Sequence, residues 1–227
     1  MRFSFSGERC FRRCQRQYYF HDIAAWHNAR DPVRREAYVL KQVKTLELWQ
    51  GQLVHRAIEK WVVPVLQRGG WPEWDAVVRD AHEMAERQRV YSGARLYRNR
   101  AIAKSATGDD YCALAADEFG AGVTASQYAG VLAVVERAIQ NLSSLEDFWR
   151  EARGRSKYYA ELPIRTSYEG AHIEGRIDLM FFRGYGKPLI VDWKISERGT
   201  SDAGVQTALY AWLLSRNPAW NLADPAQ

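Results

Sequence analysis

At 227 residues, with 47% hydrophobic and 26% charged side chains, the chain has the size and balance of one globular α/β domain with a sizeable core. Its 32 basic against 27 acidic residues leave a formal charge of +5, a mild bias towards polyanionic partners that a basic surface without purpose would equally explain. Three cysteines with no CxxC pair exclude a disulfide framework, and no window nears the ~20 apolar residues of a membrane span or the apolar core of a signal peptide, so a cytoplasmic protein with no membrane partner is expected.

In chain order, Ser6 reads as the N-cap of a helix over residues 7–21, with Cys10, Cys14 and Tyr18 recurring every four residues on one side. Arg9, Arg12, Arg13 and Arg16 crowd the same segment, as a solvated face or as a contact surface for a phosphate backbone. After the boundary at Pro32, residues 46–67 carry a strong helical pattern (Trp49, Leu53, Ala57, Ile58, Trp61) that places His55 and Glu59 on a shared face. A histidine on such a helix is ordinarily structural or exposed unless other ligands meet it. Gly69-Gly70-Trp71-Pro72 ends that helix, and residues 69–153 read as a helical insertion with helices over 73–90 and 125–150. Between them, Arg98 and Arg100 are interleaved with Tyr91 and Tyr97, which suits either a backbone-tracking surface with rings for base stacking or a solvated connector.

Past Gly154 the pattern turns to strand. Tyr158–Ile164, which contains Glu161, is followed by an apolar, β-rich run over 172–183, a turn at Gly184–Pro188 and a second strand from Leu189. Asp192 and Lys194 lie two apart and so share a face of that strand, and a hairpin brings Asp178 beside Asp192. An acidic pair with an adjacent lysine suits a divalent cation held against a phosphate; a salt-bridged hairpin is the plainer alternative. A last helix spans about 201–215, with Gln206 and Tyr210 one turn apart, and a loop is expected from Asn217 to Gln227.

Four motifs in order resemble the RecB-like branch of the PD-(D/E)XK nuclease superfamily. They are the glycine and histidine of Gly51-Gln52-Leu53-Val54-His55, the G-x-x-D of Gly175-Arg176-Ile177-Asp178, the (D/E)-x-K of Asp192-Trp193-Lys194, and the Q-x-x-x-Y of Gln206 to Tyr210. Ser4-Phe5-Ser6 with Cys14 and Tyr18-Tyr19 is similar to the family's opening segment, with Gln15 where a proline is usual. The resemblance implies one domain over residues 1–227 with a restriction-endonuclease-like core: a central mixed β-sheet flanked by helices, behind a helical N-terminal half. It implies Mg²⁺ or Mn²⁺ on Asp178, Asp192 and the main-chain carbonyl of Trp193, with His55 as a further ligand and Glu161 as a candidate one. Asp178, Asp192 and Lys194 become the catalytic residues, Lys194 acting on the attacking water and the phosphoryl oxygens. Gln206 and Tyr210 would contact the nucleic acid or support the metal ligands, and the basic segments read above offer Arg12, Arg13, Arg98 and Arg100 as contacts to single- or double-stranded DNA. Some members hold an iron–sulfur cluster on four cysteines, but no cysteine follows Cys112, so none is expected here. The implied activity is a metal-dependent deoxyribonuclease, an exonuclease of repair, recombination or defence against foreign DNA. The alternative is a binding or assembly subunit that keeps the fold without cutting alone. The short stretch after the last motif suggests a protein partner or oligomer completing the sheet.

Overall fold

The computed structural model describes residues 2–153, 158–182, 188–195 and 200–217. In chain order these form β1 (Arg2–Ser4), α1 (Phe5–Arg13), α2 (Gln15–Tyr18), a π-turn at Tyr19–Ala24 and α3 (Pro32–Leu40). Next comes α4 (Leu46–Ala57), which continues through π-helical Ile58–Val62 into α5 (Val63–Gln67). Then follow α6 (Trp74–Gly93), α7 (Lys104–Thr107), α8 (Ala115–Phe119), α9 (Ala125–Ser143) and α10 (Glu146–Ala152). The strands β2 (Tyr158–Tyr168), β3 (Ala171–Phe182) and β4 (Pro188–Val191) and the helix α11 (Thr200–Arg216) complete the order. The turn expected at Gly184–Lys187 and all but the first residue of the expected tail loop lie outside the described residues.

These elements group into two compact units. One comprises residues 1–14, 59–71 and 147–227; the other comprises 15–58 and 72–146. Of the helices expected as an insertion over 69–153, α6 to α9 group with residues 15–58, while nearly all of α10 groups with the strands. The fold is mixed α/β, a central mixed sheet flanked by helices behind a helical N-terminal half, as a restriction-endonuclease-like core requires.

The first unit is organised on β3. One of its edges pairs along its length with antiparallel β2, Tyr158 opposite Phe181 through Tyr168 opposite Ala171. The other edge is shared: parallel β1 covers His172–Glu174 and antiparallel β4 covers Leu179–Phe182. Leu179, Met180 and Phe181 are fully buried in succession, so both faces of β3 are covered there. On one side α11 packs through Tyr210, Leu213 and Leu214 against Ile164, Ile177 and Met180. The ring of Phe148 from α10 lies 5.7 Å from Phe181 and 6.0 Å from Trp193. The second unit is a helical assembly of α4, α6 and α9. Buried Trp49 of α4 donates its indole N–H to Gln88 of α6 at 2.6 Å and stacks on Tyr128 of α9.

Three local expectations are corrected. The first helix starts earlier, because the Ser4 hydroxyl, not that of Ser6, accepts the Gly7 N–H at 3.1 Å and caps α1. That helix also does not run on to residue 21: Cys14 adopts extended backbone (φ −161°, ψ 105°), leaving its thiol exposed rather than on a packed stripe with Cys10 and Tyr18. The helix expected over 125–150 is two helices, parted after Ser143. Among the described residues no helix is long and apolar enough to cross a membrane.

Candidate active site

The strand register of the first unit sets the site. Ala160 pairs with Leu179 and Leu162 with Ile177, so Glu161 faces Asp178 across the β2–β3 ladder. Their carboxylates each offer an oxygen within 4.8 Å of the other, and both residues are half-buried. Like charges at directly opposed strand positions repel. Glu161 also sits at φ +50°, a left-handed conformation uncommon for a side-chain-bearing residue and costly inside a strand. On the opposite edge, Leu179 pairs with Val191; one register step further brings Asp192 level with Asp178. The hairpin thus presents three acidic positions side by side, Glu161 and Asp178 on strands and Asp192 one residue past the end of β4. Asp192 and Lys194 therefore lie on irregular backbone rather than on the strand expected for them.

Asp192 differs from the other two in its surroundings. Its side chain is only 4% exposed. Its Oδ1 accepts from the Gln206 amide at 3.0 Å, and its Oδ2 lies 2.5 Å from the Lys194 ammonium as an ion pair not aligned as a hydrogen bond. Gln206 links the group. Its Nε2 also donates to the Tyr210 hydroxyl at 2.5 Å, and its Oε1 faces Lys194 Nζ at 3.4 Å. One helical turn separates Gln206 from Tyr210, so α11 presents both to the strand. Burial raises the Tyr210 phenol to about 12; the Gln206 hydrogen bond opposes this, and the charges of Asp192, Asp178 and Glu161 add to it. The phenol therefore stays protonated while sensing all three carboxylates.

Asp178 is fixed from the other side, by the Trp193 backbone N–H donating to its Oδ2 at 2.8 Å. Trp193 was expected to serve through its carbonyl; what the structure shows is its amide orienting an acid. Its ring packs against Trp149 at 5.9 Å, so the residue between Asp192 and Lys194 anchors the motif while its neighbours face the site. Glu161 meets the Arg176 guanidinium at 3.5 Å.

Gln206 and Tyr210 border a cleft of about 650 Å³ lined also by Ser4, Ser6, Arg9, Arg165 and Arg176. The sequence reading passed over Arg165 and Arg176. Arg176 lies two residues before Asp178 in the same strand, and that alternation is the signal that would have placed it.

The other expected residues belong to other segments of the fold. His55 is half-buried in the last turn of α4, in the second unit. Arg12 is exposed on α1 and pairs with Glu8 one turn earlier; Arg13 follows it, also exposed. Arg100 is exposed, whereas Arg98 is held by two carboxylates, Glu36 at 2.8 Å and Glu118.

A family model described as the PD-(D/E)XK nuclease superfamily matches residues 2–227. The chain belongs to that superfamily. Searches of curated proteins and of solved structures gave no match. Nucleases of the PD-(D/E)XK superfamily use divalent metal ions, and the residues present suit one. Glu161 and Asp178 supply hard oxygen donors whose mutual repulsion a cation would relieve. Among the described residues no cysteine group suits an iron–sulfur cluster.

Proposed function

We propose that this PD-(D/E)XK protein is a metal-dependent deoxyribonuclease of the RecB-like kind, acting as an exonuclease in repair, recombination or defence. The observation that carries the reading is the linked set Lys194–Asp192–Gln206–Tyr210 beside the opposed carboxylates Glu161 and Asp178, on one sheet. A structural salt bridge needs none of these neighbours. A phosphodiester is anionic and resists hydroxide, so cleavage calls for neutralised phosphate and an activated water together. Asp178, Asp192 and Glu161 would hold Mg²⁺ or Mn²⁺, with the Trp193 carbonyl and His55 as further ligands. Bound there, a divalent cation supplies Lewis-acid polarisation of the phosphate and lowers the pKa of water.

The chain's own groups do the rest. An ammonium has three donors; with one towards Asp192 and one towards Gln206, Lys194 keeps a third for a phosphoryl oxygen. The charge it meets there grows as the bond breaks, which is where a fixed cation accelerates a reaction. Gln206 holds Asp192 in place and keeps Lys194 near it. Arg12, Arg13 and Arg100 are exposed cations suited to backbone phosphates; Arg12 also pairs with Glu8, and Arg98 is engaged by Glu36 and Glu118.

The test is cleavage of end-labelled linear and closed circular DNA, single- and double-stranded, with RNA alongside, in Mg²⁺, Mn²⁺ or chelator. Asp192→Ala and Lys194→Ala are expected to lower the rate by at least about a hundredfold while leaving the circular dichroism spectrum unchanged. Cutting of linear but not circular DNA marks an exonuclease. Full activity in either variant would sink the site assignment; wild-type protein that binds but never cuts would favour the assembly-subunit reading. His55→Ala is expected to raise the metal concentration for half-maximal rate by at least about tenfold. An unchanged metal titration removes His55 from the ligand set.

A further inference from the structure

The second unit holds a group of cations that the catalytic chemistry does not use. Lys41 and Lys44 lie on the connector between α3 and α4, Arg56 in the last turn of α4, and Lys104 at the start of α7. Side-chain contacts draw them together. Lys104 Nζ donates to Gln42 Oε1 at 2.8 Å, which fastens α7 to the connector, and sits 4.7 Å over the Tyr111 ring. Lys44 Nζ donates to Gln52 Oε1, one helical turn from Arg56 on the same face. Lys41 Nζ donates to the His21 carbonyl at 3.2 Å.

The acceptors are the telling feature. Amide and carbonyl oxygens satisfy all three ammonium groups, and among the described residues none of the three reaches a carboxylate. Arg56 is the member with an acidic neighbour, Asp109 at 3.6 Å. Cys112 is the titratable group that would offset Lys44, but burial raises its thiol to about 12, so it stays neutral. Burial lowers the Lys104 pKa, and repulsion from Lys44, Lys41 and Arg56 lowers it further. Burial likewise lowers that of Lys44, with Arg56 adding to the effect. Elsewhere in this unit the opposite rule holds, since Arg98 is matched by two carboxylates. Three lysines held by neutral oxygens, with Lys104 repelled by Lys41, Lys44 and Arg56, cost stability that a bound anion would recover.

We propose that Lys41, Lys44, Arg56 and Lys104 form a binding site for the backbone phosphates of a nucleic-acid strand. The inference rests on the nuclease reading for the identity of the anion, and it adds a contact surface away from the motif residues. Amide acceptors hold the ammonium groups in position without consuming their charge. Phosphate oxygens then replace water rather than a competing carboxylate.

The experiment measures binding of a labelled single-stranded oligonucleotide by anisotropy, in chelator, across a salt series. Neutralising two members, Lys41→Gln with Lys104→Gln, is expected to reduce the slope of log K against log salt by about 1.4, at about 0.7 per phosphate contact, and to weaken binding on the order of tenfold. The charge-preserving pair Lys41→Arg with Lys104→Arg is expected to restore both. An unchanged slope in the glutamine pair overturns the proposal, and so does a loss that the arginine pair fails to restore. Failure of wild-type protein to bind any strand overturns it as well. Metal-dependent hydrolysis of a small phosphodiester by the wild-type protein is read separately. Its absence would count against the nuclease reading alone.

Discussion

Gly175 holds its place in the G-x-x-D stretch for a reason of volume. A Cβ there would stand 2.8 Å from Cε1 and 3.2 Å from Cδ1 of Tyr210, and 3.3 Å from Leu213. Tyr210 is 5% exposed, so its ring has no solvent to yield into. The missing side chain lets α11 lie directly on β3, and that approach is what brings Gln206 to Asp192. Gly175→Ala is therefore expected to destabilise the protein by about 1–3 kcal/mol through overpacking. It should also lower metal-dependent cleavage, although every charged group of the site remains. Denaturant midpoint and cleavage rate measured together check this; a variant with wild-type values for both would show that the helix does not need the close approach. Glu161 states a related point in backbone terms. A left-handed residue inside a strand costs on the order of 1–3 kcal/mol, and here it falls where β2 must present a carboxylate to Asp178.

Among the elements, those that build the site were the legible ones. The β3–β4 pair shows in the sequence because β3 carries a long apolar run and β4, though only four residues, is apolar throughout. The i, i+2 spacing expected to put Asp192 and Lys194 on one strand face fails, since β4 ends at Val191. The α11 helix is legible for its period, with Leu209, Leu213 and Leu214 inward. The β1 strand is not, since three residues carry no period and their parallel partner lies some 170 positions along the chain. The end of α1 at Cys14 is equally silent, as no glycine or proline marks it. Two contacts of the site lie beyond what spacing can give, even where the motif names Gln206 as a support for the metal ligands. That Gln206 touches Asp192, and that the Trp193 amide holds Asp178, depends on how α11 and the strand end are docked. Sequence spacing gives the residues on a face; it does not give the distance between faces. The lysine group was missed because its members come from three separate segments, joined by glutamines that no charge pattern reveals.

At the scale of the whole molecule, the buried titratable groups of the second unit set how stability responds to alkali. Burial raises the Cys112 thiol from 9.0 to about 12 and the Tyr128 phenol from 10.0 to about 12. Burial raises Tyr97 and Tyr111 as well, the former helped by its hydrogen bond to Glu118. Below the ordinary values both folded and unfolded chains keep these protons, and the stability they provide is present in full. As pH climbs past 9–10 the unfolded chain releases them first, so unfolding gains and the fold loses ground until the folded groups titrate in turn. Lys44 and Lys104 act in the opposite sense. Their folded pKa values lie below 10.5, so they shed charge in the fold first, and stability rises as pH approaches that value. Four groups oppose two, and the lysines' contribution is complete once the unfolded lysines have titrated. The denaturation midpoint is therefore expected to fall steeply above about pH 10. Cys112→Ala is expected to begin that fall later, because it removes the group that titrates first in the unfolded chain. A midpoint that stays level from neutrality through that range, or a Cys112→Ala profile parallel to wild type, would show that these side chains meet more water than the fold assigns them.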